Sequence, residues 1–283
     1  MLIYKTVTSL LLLFMFSCLS CKNHVEYKSP AGYDLSKPQK FLLNDALHEI
    51  SGITFLNGNS DSIFAIEDED GKLFTYTFSN KQISKSKFGK KGDFEDVTIL
   101  DNKTFVVLRS DGSLFLFPVA AISNAKIDDV RIYEHFLPEG EYEGLTAADG
   151  KLYALCKNCM ADNEKKEVSV FTIDHPGGDS LSIASSFKID ISMLKAKETG
   201  KVKFHPSCIA KNPLTKDWYI ISSVNKMLLV LDGQWKVKEF IPIDPSLFNQ
   251  PEGLTFNQKG DMYISNEGGD GTADILLFRY QAQ

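Results

Sequence analysis

The segments "EYEGLTAADGKLYAL" (residues 141–155) and "QPEGLTFNQKGDMYI" (residues 250–264) share the word EGLT, followed by a polar turn and an apolar strand. Three further segments align with them: "EISGITFL", "FEDVTIL" and "HPSCIAK". The superposed positions are, in chain order, Ser51, Glu95, Glu143, Ser207 and Glu252. Their intervals of 44, 48, 64 and 45 residues are typical of four-stranded β-propeller blades, which repeat about every 40–50 residues, with one insertion.

Each unit continues with Asn-Gly, Asp-Gly or similar turns and with further strands of alternating apolar residues, which are hairpin signals. The fifth unit lacks a fourth strand, and residues 33–43 have the composition of one. A ring that borrows its last outer strand from the N-terminus hides its sheet edges. We therefore predict an all-β fold, a five-bladed β-propeller of four-stranded antiparallel blades. Six blades are the alternative if the insertion near Asp190, otherwise a short helix or loop, contains extra strands.

The repeated position is expected to carry chemistry. Because the innermost strands line the central channel, Glu95, Glu143 and Glu252 should meet at one mouth, with Ser51 and Ser207 completing the ring. Glu49 lies two residues before Ser51, so strand alternation places it on the same side. Carboxylates gathered in this way take up protons or bind a cation. Glu and Ser oxygens favour Ca²⁺ or Mg²⁺ over softer metals; alternatively, each Glu accepts hydrogen bonds that close the ring.

The ends of the second strands form a second predicted layer. It contains charged and polar residues near one end of the ring: Asp68, Arg109, Lys157, Ser223 and Glu267. Mixed charge around a pocket is suited to a polar ligand, so this rim is a candidate site for an unidentified small-molecule or protein ligand. The alternative is a solvated rim of hairpin turns.

The N-terminus predicts export. Residues 1–21 contain Lys5, a short apolar run and a Ser-Cys step; the run is too short to span a bilayer and is typical of a signal peptide. Its end resembles a bacterial lipoprotein box, with Cys18 as the preferred lipidated residue and Cys21 as the alternative; a plain secretory signal is the third interpretation. Residues 22–33 are predicted to be a polar tether and residues 34–283 the propeller. The protein is thus expected to be exported and lipid-anchored to a bacterial cell membrane, on its periplasmic or surface face.

Charge and cysteine content restrict the function further. The net charge of −6 and the absence of a basic block argue against nucleic acid as a partner. Cys156 and Cys159 form one CxxC pair, and a structural zinc site would need two more ligands at matching spacing. In an oxidising compartment the pair is a candidate disulfide; two unpaired thiols are the alternative.

The segments "LHEISGITF", "KKGDFEDVTIL", "YEGLT" and "PEGLTF" resemble the SdiA-regulated family of bacterial exported proteins, over residues 34–280. The resemblance implies a five-bladed propeller distantly related to NHL-repeat proteins, with a bound calcium ion. The implied ligand positions are Glu49, Glu95, Glu143 and Glu252. The fourth unit departs from the family pattern, since Ser207 and Cys208 replace Glu and Gly, and this side of the ring should be poor in ligands.

The function predicted from these observations is a membrane-anchored, calcium-binding propeller with a non-catalytic role in binding or calcium homeostasis. The alternative is a metal-dependent hydrolase of phosphate esters, as in phytase-like chemistry, or of lactones. No GxSxG elbow, HExxH motif or phosphate-binding glycine loop is present. A third hypothesis is a docking platform for other proteins, since rigid propellers commonly offer one face to partners.

Overall fold

The computed structural model describes residues 27–163, 165–175, 180–196, 200–201 and 203–282. The predicted signal peptide, both candidate lipidation residues Cys18 and Cys21, and the first part of the predicted tether lie outside these residues. In the described part of the chain, no helix has the length and apolarity needed to cross a membrane.

Five four-stranded antiparallel sheets make up the described fold, which confirms the five-bladed propeller. Blade 1 consists of β2 (Ile50–Thr54), β3 (Ser62–Glu67), β4 (Lys72–Thr77) and β5 (Gln82–Lys87). Blade 2 consists of β6 (Phe94–Leu100), β7 (Thr104–Arg109), β8 (Leu114–Pro118) and β9 (Arg131–Tyr133). Blade 3 consists of β10 (Gly140–Ala148), β11 (Lys151–Cys159), β12 (Glu167–Asp174) and β13 (Ser182–Asp190).

The last two blades close the ring. Blade 4 consists of β16 (Cys208–Lys211), β17 (Trp218–Ser222), β18 (Met227–Leu231) and β19 (Val237–Pro242). Blade 5 consists of β20 (Pro251–Phe256), β21 (Met262–Asn266), β22 (Asp274–Phe278) and the N-terminal strand β1 (Gln39–Leu42). Strand β1 pairs with β22 from Gln39 opposite Leu277 to Leu42 opposite Asp274. The predicted N-terminal closure is therefore confirmed.

The six-blade alternative is wrong. The insertion between blades 3 and 4 contains only a two-stranded hairpin of β14 (Lys195–Ala196) and β15 (Gly200–Lys201) among its described residues. No helix is described there either, and the helices of the described chain are three 3₁₀ turns: Asp45–Leu47, Leu56–Gly58 and Val119–Ser123.

The core lies between neighbouring blades, where the apolar faces of adjacent sheets pack together. The cluster between blades 4 and 5 includes Tyr33 and Leu35, which are 8% and 4% exposed. The Tyr33 hydroxyl donates to the Gly260 carbonyl at 2.5 Å and accepts a hydrogen bond from the Asn212 side chain at 2.7 Å. Tyr33, which the sequence placed at the end of the polar tether, is thus part of the packed fold.

The Gly of the EGLT word lets the inner strands approach closely at the centre of the ring. A Cβ atom on Gly253 would lie 2.5 Å from the Ser51 carbonyl oxygen of blade 1. A Cβ atom on Gly52 would lie 2.5 Å from the Asp96 Cα of blade 2. Because Cβ atoms are not found so close to backbone atoms, glycine is required at both positions, and the five inner strands form a tight ring.

Candidate functional site

The repeated residues lie on irregularities of the inner strands. The antiparallel register shifts between Phe94 and Asp96, between Tyr142 and Gly144, and between Pro251 and Gly253. Each shift leaves one unpaired residue, and these are Glu95, Glu143 and Glu252. Such β-bulges redirect a side chain and occur next to active sites. The bulges therefore explain how a regular sheet presents its Glu side chains at the mouth of the channel.

Glu95 and Glu143 come together at this mouth. Burial raises the pKa of both carboxyl groups. The Glu143 side chain also acts on Glu95 both through its charge and as a hydrogen-bond partner, and both effects raise the pKa of Glu95 further. Lys157 opposes this effect, because its Nζ lies 2.5 Å from Glu143 Oε1. The two carboxyl groups thus share a buried position that a single ammonium group compensates only in part.

Glu252 occupies the opposite side of the same ring. Burial raises its pKa, whereas hydrogen bonds from the Ser207 and Ser223 hydroxyls lower it. Electrostatic repulsion between Glu252 and Glu143 contributes to the raised pKa of Glu143. Glu143 thus interacts electrostatically with both Glu95 and Glu252, and Ser207 is a hydrogen-bond donor to Glu252. We call Glu95, Glu143 and Glu252 the carboxylate ring.

Three more carboxylates extend the ring towards blades 1 and 5. Burial raises the pKa of Glu267 to about 8, with contributions from Glu252 and Glu49. Burial and the Glu49 charge also raise the pKa of Asp68, whose Oδ1 is buried without a hydrogen-bond partner among the described residues. Glu49 is more exposed and lies 3.8 Å from the His48 ring. The structure thus groups Glu49 with Asp68 and Glu267 rather than with Glu95.

The structure corrects the predicted second layer at Arg109. Arg109 pairs with Phe94, the residue before the repeated Glu, and the next residue, Ser110, is the one equivalent to Asp68. The carbonyl of Asp68 accepts a hydrogen bond from the Phe94 amide at 2.9 Å. The Ser110 carbonyl accepts one from the Tyr142 amide in the same way. The sequence alignment was off by one residue here, and a one-residue change turns a strand side chain to the opposite face.

Arg109 consequently lies away from the carboxylate ring. Its guanidinium contacts Asp111 at 2.6 Å and Glu134 at 2.6 Å, and His135 Nδ1 is 3.4 Å from Asp111. We call these four residues the Arg109 cluster. Among the described residues, Asp111, Glu134 and His135 are the one group of three whose ligand atoms all lie within 4.8 Å of one another. The guanidinium forms ion pairs with both carboxylates of this cluster.

Lys157 is held by a covalent loop. Cys156 and Cys159 form a disulfide with a Cα–Cα distance of 5.9 Å, and Lys157 lies between them. Besides Glu143, Lys157 contacts Glu141 at 3.0 Å. Glu141 was missed in the sequence, although it lies two residues before a repeated Glu, as Glu49 does before Ser51. The CKNC motif thus anchors Lys157, the cation that, among the described residues, forms an ion pair with the carboxylate ring.

Asp96 is the other residue that the sequence analysis missed. It occupies the position of Gly in EGLT, is 2% exposed, and accepts hydrogen bonds from the Val97 amide at 2.8 Å and the Leu145 amide at 2.7 Å. It links the inner strands of blades 2 and 3 through its side chain. The signal was present in the sequence as the single Asp in the series Gly52, Asp96, Gly144, Cys208 and Gly253.

The fold is shared with functionally diverse propellers. A luciferin-regenerating enzyme superposes with a TM-score of 0.52 at 11% identity, covering 86% of this chain and 95% of that one. U3-55K superposes with a TM-score of 0.52 at 9% identity, covering 86% and 100%. A catalytically inactive virginiamycin B lyase from Staphylococcus aureus with quinupristin gives 0.50 at 11% identity, covering 87% and 89%. At these identities the likeness shows the fold alone.

Sequence comparison places the chain more narrowly. No curated protein shows significant similarity to it. Residues 30–269 match the model of the family described as SdiA-regulated, a span that includes all of the repeated positions and the second layer. The chain therefore belongs to the SdiA-regulated family.

Proposed function

We propose that this chain is a calcium-binding, lipid-anchored β-propeller of the bacterial cell envelope that acts by binding rather than by catalysis. The observation that carries the proposal is the carboxylate ring. Its carboxyl groups are buried (Glu143) or half-buried (Glu95 and Glu252) at one channel mouth, and the Glu143 charge raises the pKa of Glu95. Among the described residues, Lys157 is the one ammonium group in an ion pair with them, and the more distant Lys226 charge acts on Glu252. Buried carboxylates with so little compensation are poised for a cation.

The donor set supports calcium. Carboxylate and hydroxyl oxygens are hard ligands, and Ca²⁺ accepts six to eight of them in a flexible geometry. Glu95, Glu143 and Glu252 would hold the ion, with Ser207 and Ser223 as neighbouring hydroxyls. The unpartnered Asp68 Oδ1 is a further oxygen on the blade 1 side. The bound ion would neutralise the ring and remove the need for shared protons.

The ion pairs of Lys157 and Arg109 favour a binding role over phosphate-ester hydrolysis. Stabilising a transferring phosphoryl group requires positive groups that are free to contact it. Lys157 is engaged by Glu141 and Glu143, and Arg109 by Asp111 and Glu134. Both cations of the predicted second layer are thus held by carboxylates of the protein itself.

Calcium-dependent thermal stability tests the proposal. We expect calcium at about 100 times its Kd to stabilise the fold by about 2.7 kcal/mol, which raises Tm by roughly 5–10 °C for a protein of this size. Glu95→Gln and Glu252→Gln should each remove this rise. Glu239→Gln, at an exposed site on blade 4, removes the same charge elsewhere and should retain it. An unchanged Tm of the folded wild-type protein with and without chelator contradicts calcium binding.

The anchor is tested separately. Metabolic labelling with a palmitate analogue should label the wild-type chain and not the Cys18→Ala variant. Labelling that persists in Cys18→Ala and disappears in Cys21→Ala assigns the lipid to the second cysteine. Absence of label in the secreted wild-type chain contradicts the anchor and leaves the calcium proposal untouched.

A further inference from the structure

A cavity lies outside the carboxylate ring, between blades 1 and 2. It has a volume of about 500 Å³, within the range of about 300–1,000 Å³ that is usual for small-molecule sites. It is bounded by the end of β5, the loop that leads into β6, and the outer part of blade 2. We call it the blade 1–2 pocket.

The floor of the blade 1–2 pocket is aromatic and its mouth is apolar. Phe88, Phe94 and Phe115 pack edge to face, with ring centroids 5.1–5.9 Å apart. Ile132 lies at the rim and is 45% exposed. Together with the aliphatic stems of the lysines, these groups suit the apolar body of a ligand.

The wall of this pocket is preformed by backbone hydrogen bonds. The Gly71 amide donates to the Lys90 carbonyl at 3.1 Å, and the Gly92 amide donates to the Glu69 carbonyl at 3.0 Å. On the other side, the Ile127 amide donates to the Lys87 carbonyl at 2.8 Å. A wall fixed in this way loses little conformational freedom when a ligand binds.

The charge of the pocket is opposite to that of the protein. The chain carries a net charge of −6, yet Glu134 is the one acidic residue among the pocket's lining residues. The cations that line it are Lys87, Lys90, Lys91, Arg109 and Lys126. Lys91, Lys126 and Arg109 are paired with carboxylates, whereas no ion pair to Lys87 or Lys90 is found within the described ranges. Two ammonium groups at the mouth are therefore available to an anion.

From these observations we infer that the blade 1–2 pocket binds a small amphipathic organic anion, with its carboxylate, sulfonate or phosphate group at Lys87 and Lys90 and its apolar body against Ile132 and the Phe floor. Arg109, which lies 5.5 Å from the Phe115 ring centroid, keeps its side chain in place through its carboxylate partners. The site is independent of the carboxylate ring and of any cation bound there.

Calorimetry of the purified full chain with naphthalenesulfonate tests this inference. We expect one site per chain, with affinity at least about tenfold higher than for neutral naphthalenemethanol, since a charge-assisted contact contributes about 1.5 kcal/mol or more. Lys87→Gln combined with Lys90→Gln should weaken sulfonate binding about tenfold and leave the neutral analogue unaffected. Ile132→Asp, at an exposed position, should abolish binding of the sulfonate.

A matched control separates the site from general charge. Lys85→Gln combined with Lys236→Gln removes the same charge from exposed positions outside the pocket and should leave binding unchanged. Equal affinity for the charged and neutral probes, or full sulfonate binding in the folded Lys87/Lys90 variant, overturns the inference. Competition identifies the source: displacement by octanoate indicates a free carboxylate, and displacement by a soluble short-chain phosphatidylglycerol alone indicates a lipid headgroup. Displacement by neither contradicts the proposed ligand class.

Discussion

Two groups of carboxylates in this propeller respond to their surroundings in opposite ways. In the Arg109 cluster, burial raises the pKa of Asp111, but hydrogen bonds from Arg109 and Ser113 outweigh it and lower the pKa to about 2. In the carboxylate ring, burial dominates and the pKa of each Glu is raised. Both groups bring acidic side chains close together. The difference shows that compensation of charge, rather than the number of acidic residues, distinguishes a structural cluster from a candidate cation site.

Replacing glycine by alanine should be far more destabilising at the centre of the ring than in the peripheral blade 1–2 pocket. This is the largest effect we expect. Gly253→Ala should destabilise the fold by about 3 kcal/mol, because its Cβ would lie 2.5 Å from the Ser51 carbonyl oxygen. Gly89→Ala, in the peripheral pocket, places its Cβ no closer than 3.7 Å to any neighbour and should change stability by less than about 0.5 kcal/mol. Urea unfolding measures both. Equal effects would refute the tight central ring.

The Cys156–Cys159 disulfide provides a second test, because it holds Lys157, whose ammonium group pairs with Glu143 of the carboxylate ring. Cys156→Ser combined with Cys159→Ser should lower stability by about 2 kcal/mol, as expected for a short closed loop. Calcium affinity should also change, since Lys157 lies inside the loop. Reduction of the wild-type protein is the control, and it should lower Tm to the same extent. A variant with wild-type stability would show that the loop is held by packing alone.

Removing one charge from each group should have effects of opposite sign. Arg109→Gln leaves Asp111 and Glu134 without their partner and should destabilise the protein by about 1 kcal/mol. Glu95→Gln, measured at neutral pH without calcium, should leave stability unchanged or raise it, because the amide can donate to Glu143 without needing a shared proton. Chemical unfolding of both variants tests this. A clear loss of stability in calcium-free Glu95→Gln would contradict the repulsion within the ring.

The pH dependence of stability is the smallest expected effect. A Glu whose pKa is raised on folding stabilises the fold below its ordinary value of 4.5 and loses this contribution as the pH rises through the folded value, about 8 for Glu267. The Tm of the calcium-free protein should therefore fall by a few degrees between pH 5 and pH 8. Saturating calcium should flatten the profile. A calcium-free Tm that rises over this interval would contradict the raised pKa values.

Much of the fold was predictable from the sequence, because the spacing between blades is still recognisable where individual strands are irregular. The intervals between Ser51, Glu95, Glu143, Ser207 and Glu252 fixed the blade number, and the missing fourth strand of blade 5 predicted the role of β1. Grouping of three Glu residues followed from the same repeat. These features depend on the order and number of the strands, which the sequence repeat reveals.

The details of the site were not predictable in the same way. Alternation along a strand does not fix where the equivalent position lies in the next blade, so the second layer was assigned to Arg109 where the structure has Ser110. Asp96 could be identified as an exception to Gly, but its hydrogen bond to Leu145 depends on the neighbouring blade. The blade 1–2 pocket combines residues from five strands and from the segments that connect them, and no local pattern links them. Whether a carboxylate charge is compensated by a cation or a hydrogen-bond donor depends on contacts in the folded chain.

Direct measurement of calcium stoichiometry tests the central claim. Calorimetric titration of the chelator-treated protein at pH 7.5 should show one Ca²⁺ per chain, with binding lost in Glu252→Gln and retained in Glu134→Gln, which removes a carboxylate from the Arg109 cluster. Binding should weaken at pH 5, where the ring carboxyl groups hold their protons. No binding to the folded wild-type protein, or loss of binding in Glu134→Gln with retention in Glu252→Gln, would contradict the assignment of the cation to the carboxylate ring.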